Sequence, residues 1–216
     1  MIIILMGAPG VGKGTQSLAL SEKLRIPHIA VGDILRKHIK EETDIGKEVG
    51  SIMKQGLLVS DKTMFEIINQ RIHDDDCKNG FILDGFPRTI SQADGFERLL
   101  TDVGRRITVV FNIESNYKIL LDRIKGRIVC KNCGATYHNV YHKPQLDGYC
   151  DICEGIITKR KDDTEEIFNS RIEEYNQQTK PLIGFYQQRG ILINIDSNDV
   201  KENITERLLK HLGANI

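Results

Sequence analysis

The chain contains no tryptophan, and aromatic residues make up only 6% of its 216 residues. That composition poorly serves a surface that would bind nucleic acid by stacking bases on rings. Charge of either sign is not in excess, since 30 Lys+Arg balance 30 Asp+Glu. Zero net charge excludes a protein that coats nucleic acid by bulk attraction to phosphate, and removes the simplest reason to adhere to an anionic membrane. Local basic clusters still fit inside a neutral sum. No apolar run approaches the roughly 18 residues that span a bilayer. The opening Ile2-Ile3-Ile4-Leu5-Met6 is too short for a signal-peptide core and has no positive flank before it. Cysteine is scarce, with Cys77 alone and the other four crowded into one segment, which is no disulfide scaffold. The expectation is a soluble, cytoplasmic protein of one domain, or one domain with insertions.

What is present is a rhythm of short apolar runs between helical patterns. The runs are Ile2–Met6, Pro27–Val31, Phe81–Asp84, Ile107–Ile113 and Ile191–Asp196. Apolar without clean alternation, they suit strands covered on both faces. Between them, Phe65, Ile68 and Ile72 share a helical face, as do Leu120, Leu121 and Ile124, and Val200, Ile204, Leu208 and Leu212 form a four-spaced stripe. Asp163 followed by Glu166 resembles a capping box that starts a helix carrying Ile167, Phe168, Ile172 and Tyr175. Strands alternating with helices predict an α/β fold with a mainly parallel sheet. Residues 31–60 and 127–163 break the rhythm as two excursions from one core.

Gly7-Ala8-Pro9-Gly10-Val11-Gly12-Lys13-Gly14-Thr15 follows the first strand and opens a helix. Glycines at these positions let consecutive N–H groups curl inward around a phosphate, the helix N-terminus adds partial positive charge, and Lys13 reaches the outer phosphates. The residue after the lysine is Gly14 where such loops usually carry the Ser or Thr that holds Mg²⁺. Asp84 and Asp33 are then the candidates to hold Mg²⁺ through its water shell, with a helix N-cap as the alternative for Asp33. Gly85-Phe86-Pro87-Arg88 directly follows Asp84 at the carboxyl edge of the sheet, where ligands of such folds bind. Gln92 offers an amide to a base edge. Arg36, Arg123, Arg127, Arg160 and Arg171 complete a set of guanidinium groups, the last four flanking the second excursion. Any one of them taken alone reads as a solvated charge. As a set they suit the clamping of several phosphates in one cleft.

Cys130-x₂-Cys133 and Cys150-x₂-Cys153 are separated by 16 residues, the spacing of a structural zinc ribbon. Four protein ligands leave no open coordination position, so the metal would stabilise rather than catalyse. A disulfide or redox pair is the alternative, and His138 or His142 is the alternative ligand. Cys77 is a spare thiol, and Asp74-Asp75-Asp76 beside it reads as a solvated loop.

Taken together, the glycine loop, Val31-Gly32-Asp33 with Arg36, Asp84-Gly85-Phe86-Pro87-Arg88-Thr89 with Gln92, Arg127, and Arg160, Asp162-Asp163 and Arg171 resemble adenylate kinase. The resemblance covers nearly the whole chain in order, and is to the long-lid, metal-containing form of Gram-positive bacteria. It implies a nucleoside monophosphate kinase fold, with a five-stranded parallel sheet flanked by helices. The core would comprise 1–30, 61–126 and 164–216, with an AMP-binding insertion at 31–60 and a zinc-ribbon-like lid at 127–163. It further implies that Gly10, Val11, Gly12, Lys13, Gly14 and Thr15 hold ATP, with Arg127, Thr136, Tyr137 and the backbone near Asp199. AMP would be held by Val31, Arg36, Leu57, Leu58, Val59, Gly85, Phe86, Pro87, Arg88 and Gln92. Arg160 and Arg171 would close on the transferring phosphates, and Arg123 would face them. Two positions depart from the family: Val31 stands where Ser or Thr is usual, and Leu57 where many members carry a polar residue. The implied reaction is ATP + AMP = 2 ADP with Mg²⁺, in a monomer that takes these small molecules and neither nucleic acid nor membrane. A kinase for UMP, CMP or GMP is the nearest alternative, and a zinc-ribbon binding module with a nucleotide switch a more distant one. The reaction needs no general base, because a phosphate monoester with second pKa of about 6 is already ionised at neutral pH.

Overall fold

Strand β1 (Ile2–Met6) is buried along its whole length, and its residues alternate between two separate cores. Ile2, Ile4 and Met6 pack on one face of the sheet, and Ile3 and Leu5 on the other. This is why the run shows no alternation: both faces are dry, and each fully buried isoleucine contributes about 2 kcal/mol on either side.

The computed structural model describes residues 1–160 and 162–213; Lys161 of the expected lid and the last three residues of segment 164–216 lie outside the described residues. From β1 the chain runs through α1 (Lys13–Leu24), β2 (His28–Ala30), α2 (Val31–Lys40), α3 (Asp44–Lys54), α4 (Asp61–Ile72), β3 (Phe81–Asp84), α5 (Ile90–Asp102), β4 (Val109–Glu114) and α6 (Tyr117–Lys125). An antiparallel sheet follows, made of β5 (Arg127–Cys130), β6 (Thr136–His138) and β7 (Ile157–Lys159). Then come α7 (Glu165–Glu174), a π-helical turn (Tyr175–Thr179), α8 (Leu182–Gln188), β8 (Leu192–Asp196) and α9 (Lys201–His211).

The large sheet has the order β2-β3-β1-β4-β8 with every pair parallel. Its five strands fall on the five expected runs: β1 and β3 match them end to end, β2 and β8 are shorter, and β4 starts two residues later and ends one residue later. The register sets Asp84 of β3 between Leu5 of β1 and Ala30 of β2. The glycine loop, the start of α2 and the Asp84 turn therefore leave the sheet side by side at its carboxyl edge. Gly7 makes the exit from β1 possible: it has φ 141°, and a Cβ there would lie 2.3 Å from the Ile113 carbonyl oxygen.

Three local expectations need correction. Helix α7 is capped by Thr164, whose hydroxyl accepts from the Ile167 N–H, because the Asp163 carboxylate is taken by Arg127. Helix α2 begins at Val31, so Asp33 lies in its first turn and is not its N-cap. In α9 the stripe starts one turn later than Val200, which is 58% exposed, and is completed by Thr205 and Leu209 beside Ile204 and Leu208. Among the described residues no helix is long and apolar enough to cross a membrane.

Candidate active site

Helix α1 enters the glycine loop without a side-chain cap and with no acidic residue in its first turn. Helices α3, α4, α5, α6 and α7 are capped by Thr43, Ser60, Thr89, Asn116 and Thr164, while α2, α8 and α9 lack a side-chain cap as α1 does; only α1 opens from a glycine loop. The first amides of α1 and its positive dipole end are thus left for a ligand from outside the chain. Gly10, Val11, Gly12, Gly14 and Thr15 build this end. Lys13 Nζ donates to the Gly7 and Ala8 carbonyls at 2.8 and 3.1 Å, which holds it over the loop.

Burial pushes the pKa of Lys13 down to about 8; Asp84 opposes the shift, while Arg88, Arg127 and Arg171 add to it. Arg160 is pushed down to about 10 by burial first and then by Arg127 and Arg36. Burial likewise lowers Arg88, with Arg171 next in effect. Cations from α1, α2, the β3 turn, β5, the end of β7 and α7 therefore repel one another in a single cleft. Such crowding is relieved by an anion of several charges. At about pH 8.5 Lys13 is half-deprotonated or more, and a triphosphate restores its proton. Compared with Lys13→Met, the wild-type protein is expected to take up more protons, or release fewer, on binding inorganic tripolyphosphate at that pH, and the difference should vanish near pH 6.5, because the ligand's own titration is common to both proteins. Calorimetry in buffers of different ionisation enthalpy reads this directly, and the absence of a difference at about pH 8.5 would contradict it.

Carboxylates bridge the guanidinium groups and offset their repulsion. Arg171 donates to Asp162 at 2.6 Å, and Arg36 lies 3.9 Å from the same carboxylate. Arg160 reaches Asp33 at 3.4 Å, Arg36 also bonds Asp33, and Arg127 makes a two-pronged pair with Asp163. The segment 31–60, the end of β7 and α7 meet through these pairs. Arg123 has another arrangement: it donates to the carbonyls of Val11 and Ser197 at 3.3 and 2.8 Å and to the Ser197 hydroxyl at 3.2 Å. It ties the glycine loop to the turn after β8.

Arg88 is held by its surroundings on three sides. Its Nε donates to the Gly85 carbonyl at 2.8 Å, its N–H to Gln92 Oε1 at 2.7 Å, and its carbonyl accepts from Thr179 at 3.0 Å. Gly85 has φ 85°, and a Cβ there would crowd the Arg88 guanidinium at 3.2 Å. Pro87 follows a cis peptide bond, and Phe86 lies edge-on to Phe65 and Phe96 in the core. The Val31 side chain and that of Val59 are also in that core, Leu58 is half-buried, and Leu57 is exposed. Where Ser or Thr is usual, Val31 thus contributes to the core.

The two magnesium candidates differ. The Asp84 carboxylate lies close to α1: a Cβ built on Gly14 would meet Oδ2 at 3.4 Å, an ordinary contact. Burial works against ionisation of Asp84, but His28 at 3.6 Å, Lys13 and Arg88 outweigh it and lower its pKa. A carboxylate at the mouth of the loop, kept ionised, fits a hydrated Mg²⁺. Asp33 already serves two guanidinium groups.

In the small sheet, the sulfurs of Cys130, Cys133, Cys150 and Cys153 all lie within 4.8 Å of one another. The pairs Cys130–Cys153 and Cys133–Cys150 are 3.5 Å apart. Four thiolates around zinc at about 2.3 Å stand roughly 3.8 Å apart, so the residues fit the metal, and all four thiols are free of disulfides. His138 instead accepts from the N–H groups of Val140 and Tyr141, and His142 stacks on Tyr137. Tyr137 is 4% exposed, with its hydroxyl 3.4 Å from the Cys150 sulfur, so its side chain belongs to this small core. Thr136 on β6 is half-buried, and the Asp199 carboxylate accepts from the Val200 N–H and Asn203.

Asp61, Thr179, Ser197 and His28 were not singled out from sequence, and they support Gln92, Arg88, Arg123 and Asp84. Each acts across a long sequence separation, and no local signal marks it.

The chain matches the family model described as "Adenylate kinase" over residues 5–191. It is 47% identical over 214 residues to the adenylate kinase of Caldicellulosiruptor saccharolyticus, covering 99% of this chain and 100% of that protein. It is 44% identical over 214 residues to that of Clostridioides difficile, covering 99% of both chains. Against the adenylate kinase of Staphylococcus aureus it is 45% identical over 216 residues, covering 98% of this chain and all of the relative.

Proposed function

Since the chain belongs to the adenylate kinase family, which transfers a phosphoryl group in the reaction ATP + AMP = 2 ADP, we propose a division of labour within its cleft. On the donor side, the amides of Gly10–Thr15 and Lys13 hold the ATP phosphates, and the ring of Arg127, Thr136, Tyr137 and the Asp199 turn contributes to the rest of the nucleotide. On the acceptor side, Arg36, Arg88 and Gln92 hold AMP, together with Leu57–Val59 and Gly85–Pro87. Arg160 and Arg171 lie between the two and neutralise charge that builds up during transfer. Arg123 acts by holding the loop, through its bonds to Val11 and Ser197.

The observation that carries this reading is the convergence of guanidinium groups from separate elements on Lys13 and Arg160, with Arg36 and Arg88 on the 31–60 and Asp84-turn side and Arg127 on the small-sheet side. A two-sided set of guanidinium groups suits a donor and an acceptor that each bring phosphates. Mg²⁺, when bound, supplies further neutralisation of the donor phosphates, and Asp84 would hold its water shell. Among the chain's own groups, no base is required, and the work is positioning and exclusion of water.

The same reading divides the chain into a core of 1–30, 61–126 and 164–216, an acceptor insertion at 31–60 and a lid at 127–163. It also takes the protein to be a cytoplasmic monomer. Supporting a lid that moves as a unit are the antiparallel sheet and its own small cluster of buried residues. A coupled assay of ADP formation with AMP, UMP, CMP and GMP tests the assignment. AMP is expected to exceed the pyrimidine monophosphates by at least about a hundredfold in kcat/KM, and a preference for another monophosphate would overturn it.

A further inference from the structure

The side chain of Gln92 is 1% exposed and is bonded at both ends of its amide. Oε1 accepts from the Arg88 N–H at 2.7 Å, and Nε2 donates to Asp61 Oδ1 at 2.8 Å. A backbone N–H can only donate, and a carboxylate can only accept. Turning the amide over would set Nε2 against the Arg88 N–H and Oε1 against the Asp61 carboxylate, two donor–donor and acceptor–acceptor clashes. The orientation is therefore dictated twice, by partners from different elements: Asp61 from the first turn of α4, and Arg88 from the turn after β3.

A primary amide carries two donors and two lone pairs. The two bonds consume one of each and leave one lone pair on Oε1 and one N–H on Nε2, in a fixed order in space. A 6-aminopurine presents a donor at its amino group and an acceptor at N1. A 6-oxopurine presents the reverse, an acceptor at O6 and a donor at N1. A glutamine free to turn over would satisfy either; one locked in a single orientation satisfies one and opposes the other. We propose that Asp61 is a specificity-determining positioning residue, which locks the Gln92 amide so that the acceptor site takes a 6-aminopurine and rejects a 6-oxopurine. This rests on the reading above that Gln92 faces the acceptor base.

Ser60, not Asp61, caps α4 by accepting from the Thr63 N–H, so the helix start survives replacement of Asp61. Asp61→Asn keeps the size of the side chain and lifts only the obligation to accept, since an asparagine can meet either end of an amide. Asp61→Ala removes the partner altogether. The Arg88 N–H remains in both, so selectivity should weaken and not vanish.

The experiment measures kcat/KM for AMP and for inosine monophosphate in the wild-type enzyme, both Asp61 variants and Gln92→Ala, with KM for ATP and the melting temperature as references. In both Asp61 variants the AMP-to-IMP ratio is expected to fall by about tenfold, through KM for the monophosphates, with KM for ATP within about twofold of wild type. A merely structural role would change the two monophosphates alike and leave the ratio where it was. If Gln92→Ala raises KM for AMP while the Asp61 variants, folded by their melting, keep the wild-type ratio, the lock is overturned. If Gln92→Ala leaves KM for both monophosphates unchanged, the acceptor reading beneath it fails instead.

Discussion

Lys13→Met is expected to lower kcat by about a thousandfold, the scale on which one buried electrostatic contact to the transferring group acts. The same variant, free of nucleotide, should melt no lower than wild type. Lys13 carries a cost of burial that its neighbours do not offset: its Nζ rests on two carbonyl oxygens, and burial and three arginines outweigh Asp84 and push its pKa down to about 8. In the unfolded chain the value is about 10.4. Between these two pH values the unfolded state binds more protons, so stability rises with pH across that window. Below about pH 8 the charged lysine carries the whole cost of its burial, at most about 3 kcal/mol, and methionine removes it. Single-turnover rates and calorimetric melting on the same preparation check both halves. Turnover within tenfold of wild type would sink the role of Lys13 in transfer, and a melting point many degrees lower would make it a structural residue.

Removing the metal from the four-cysteine site is expected to lower melting of residues 127–163 by more than about 10 °C. The apolar core of this segment is small: Cys130, Ala135, Tyr137 and Cys150 are its buried members, with Ile128 and Ile157 packed against them. So few residues offset only part of the entropy of ordering the segment. A closed thiolate site contributes on the order of 10 kcal/mol of binding free energy that counts directly as folding free energy. Calorimetry before and after chelation, with zinc content measured, gives the shift, and Cys150→Ser should reproduce it without chelator. At temperatures where the metal-free segment is still folded ADP formation should persist, because none of the four sulfurs belongs to the arginine cluster, and it should be lost as the segment melts, because Arg127 and Arg160 lie within it. A melting profile unchanged after verified removal would refute the structural role.

The strands and the phosphate loop were legible because their signals are local. β1 reads as a doubly buried strand from five adjacent residues, and the loop from nine. The four cysteines were equally legible, since their spacing alone implies a tetrahedral site. Asp163 shows where local reading fails. Three residues from Glu166 it looks like a cap, yet Arg127 captures its carboxylate across 36 positions and Thr164 takes over the helix. Tyr137 and Val31 fit a ligand pattern by position, while their side chains are drawn into apolar cores. His28 shows no partner in sequence and gains Asp84 because β2 and β3 run side by side.

By itself, the sequence determined the fold class, the glycine loop at the start of α1, the four-cysteine cluster and the set of arginines proposed to meet phosphates. These depend on residue type at short spacing, where backbone geometry converts sequence distance directly into space. Only the tertiary structure decided which carboxylate meets which guanidinium, that Arg123 braces the loop, and that Asp61 and the Arg88 N–H grip one amide from two sides. Those pairings join residues up to 127 positions apart, and it is the parallel register of the sheet and the packing of α7 and the small sheet above its carboxyl edge that bring them together. The scarcity of aromatic residues and the zero net charge argued against bulk attraction to nucleic acid, and the folded chain gives the balance its use: the acids of the cleft pair with its arginines.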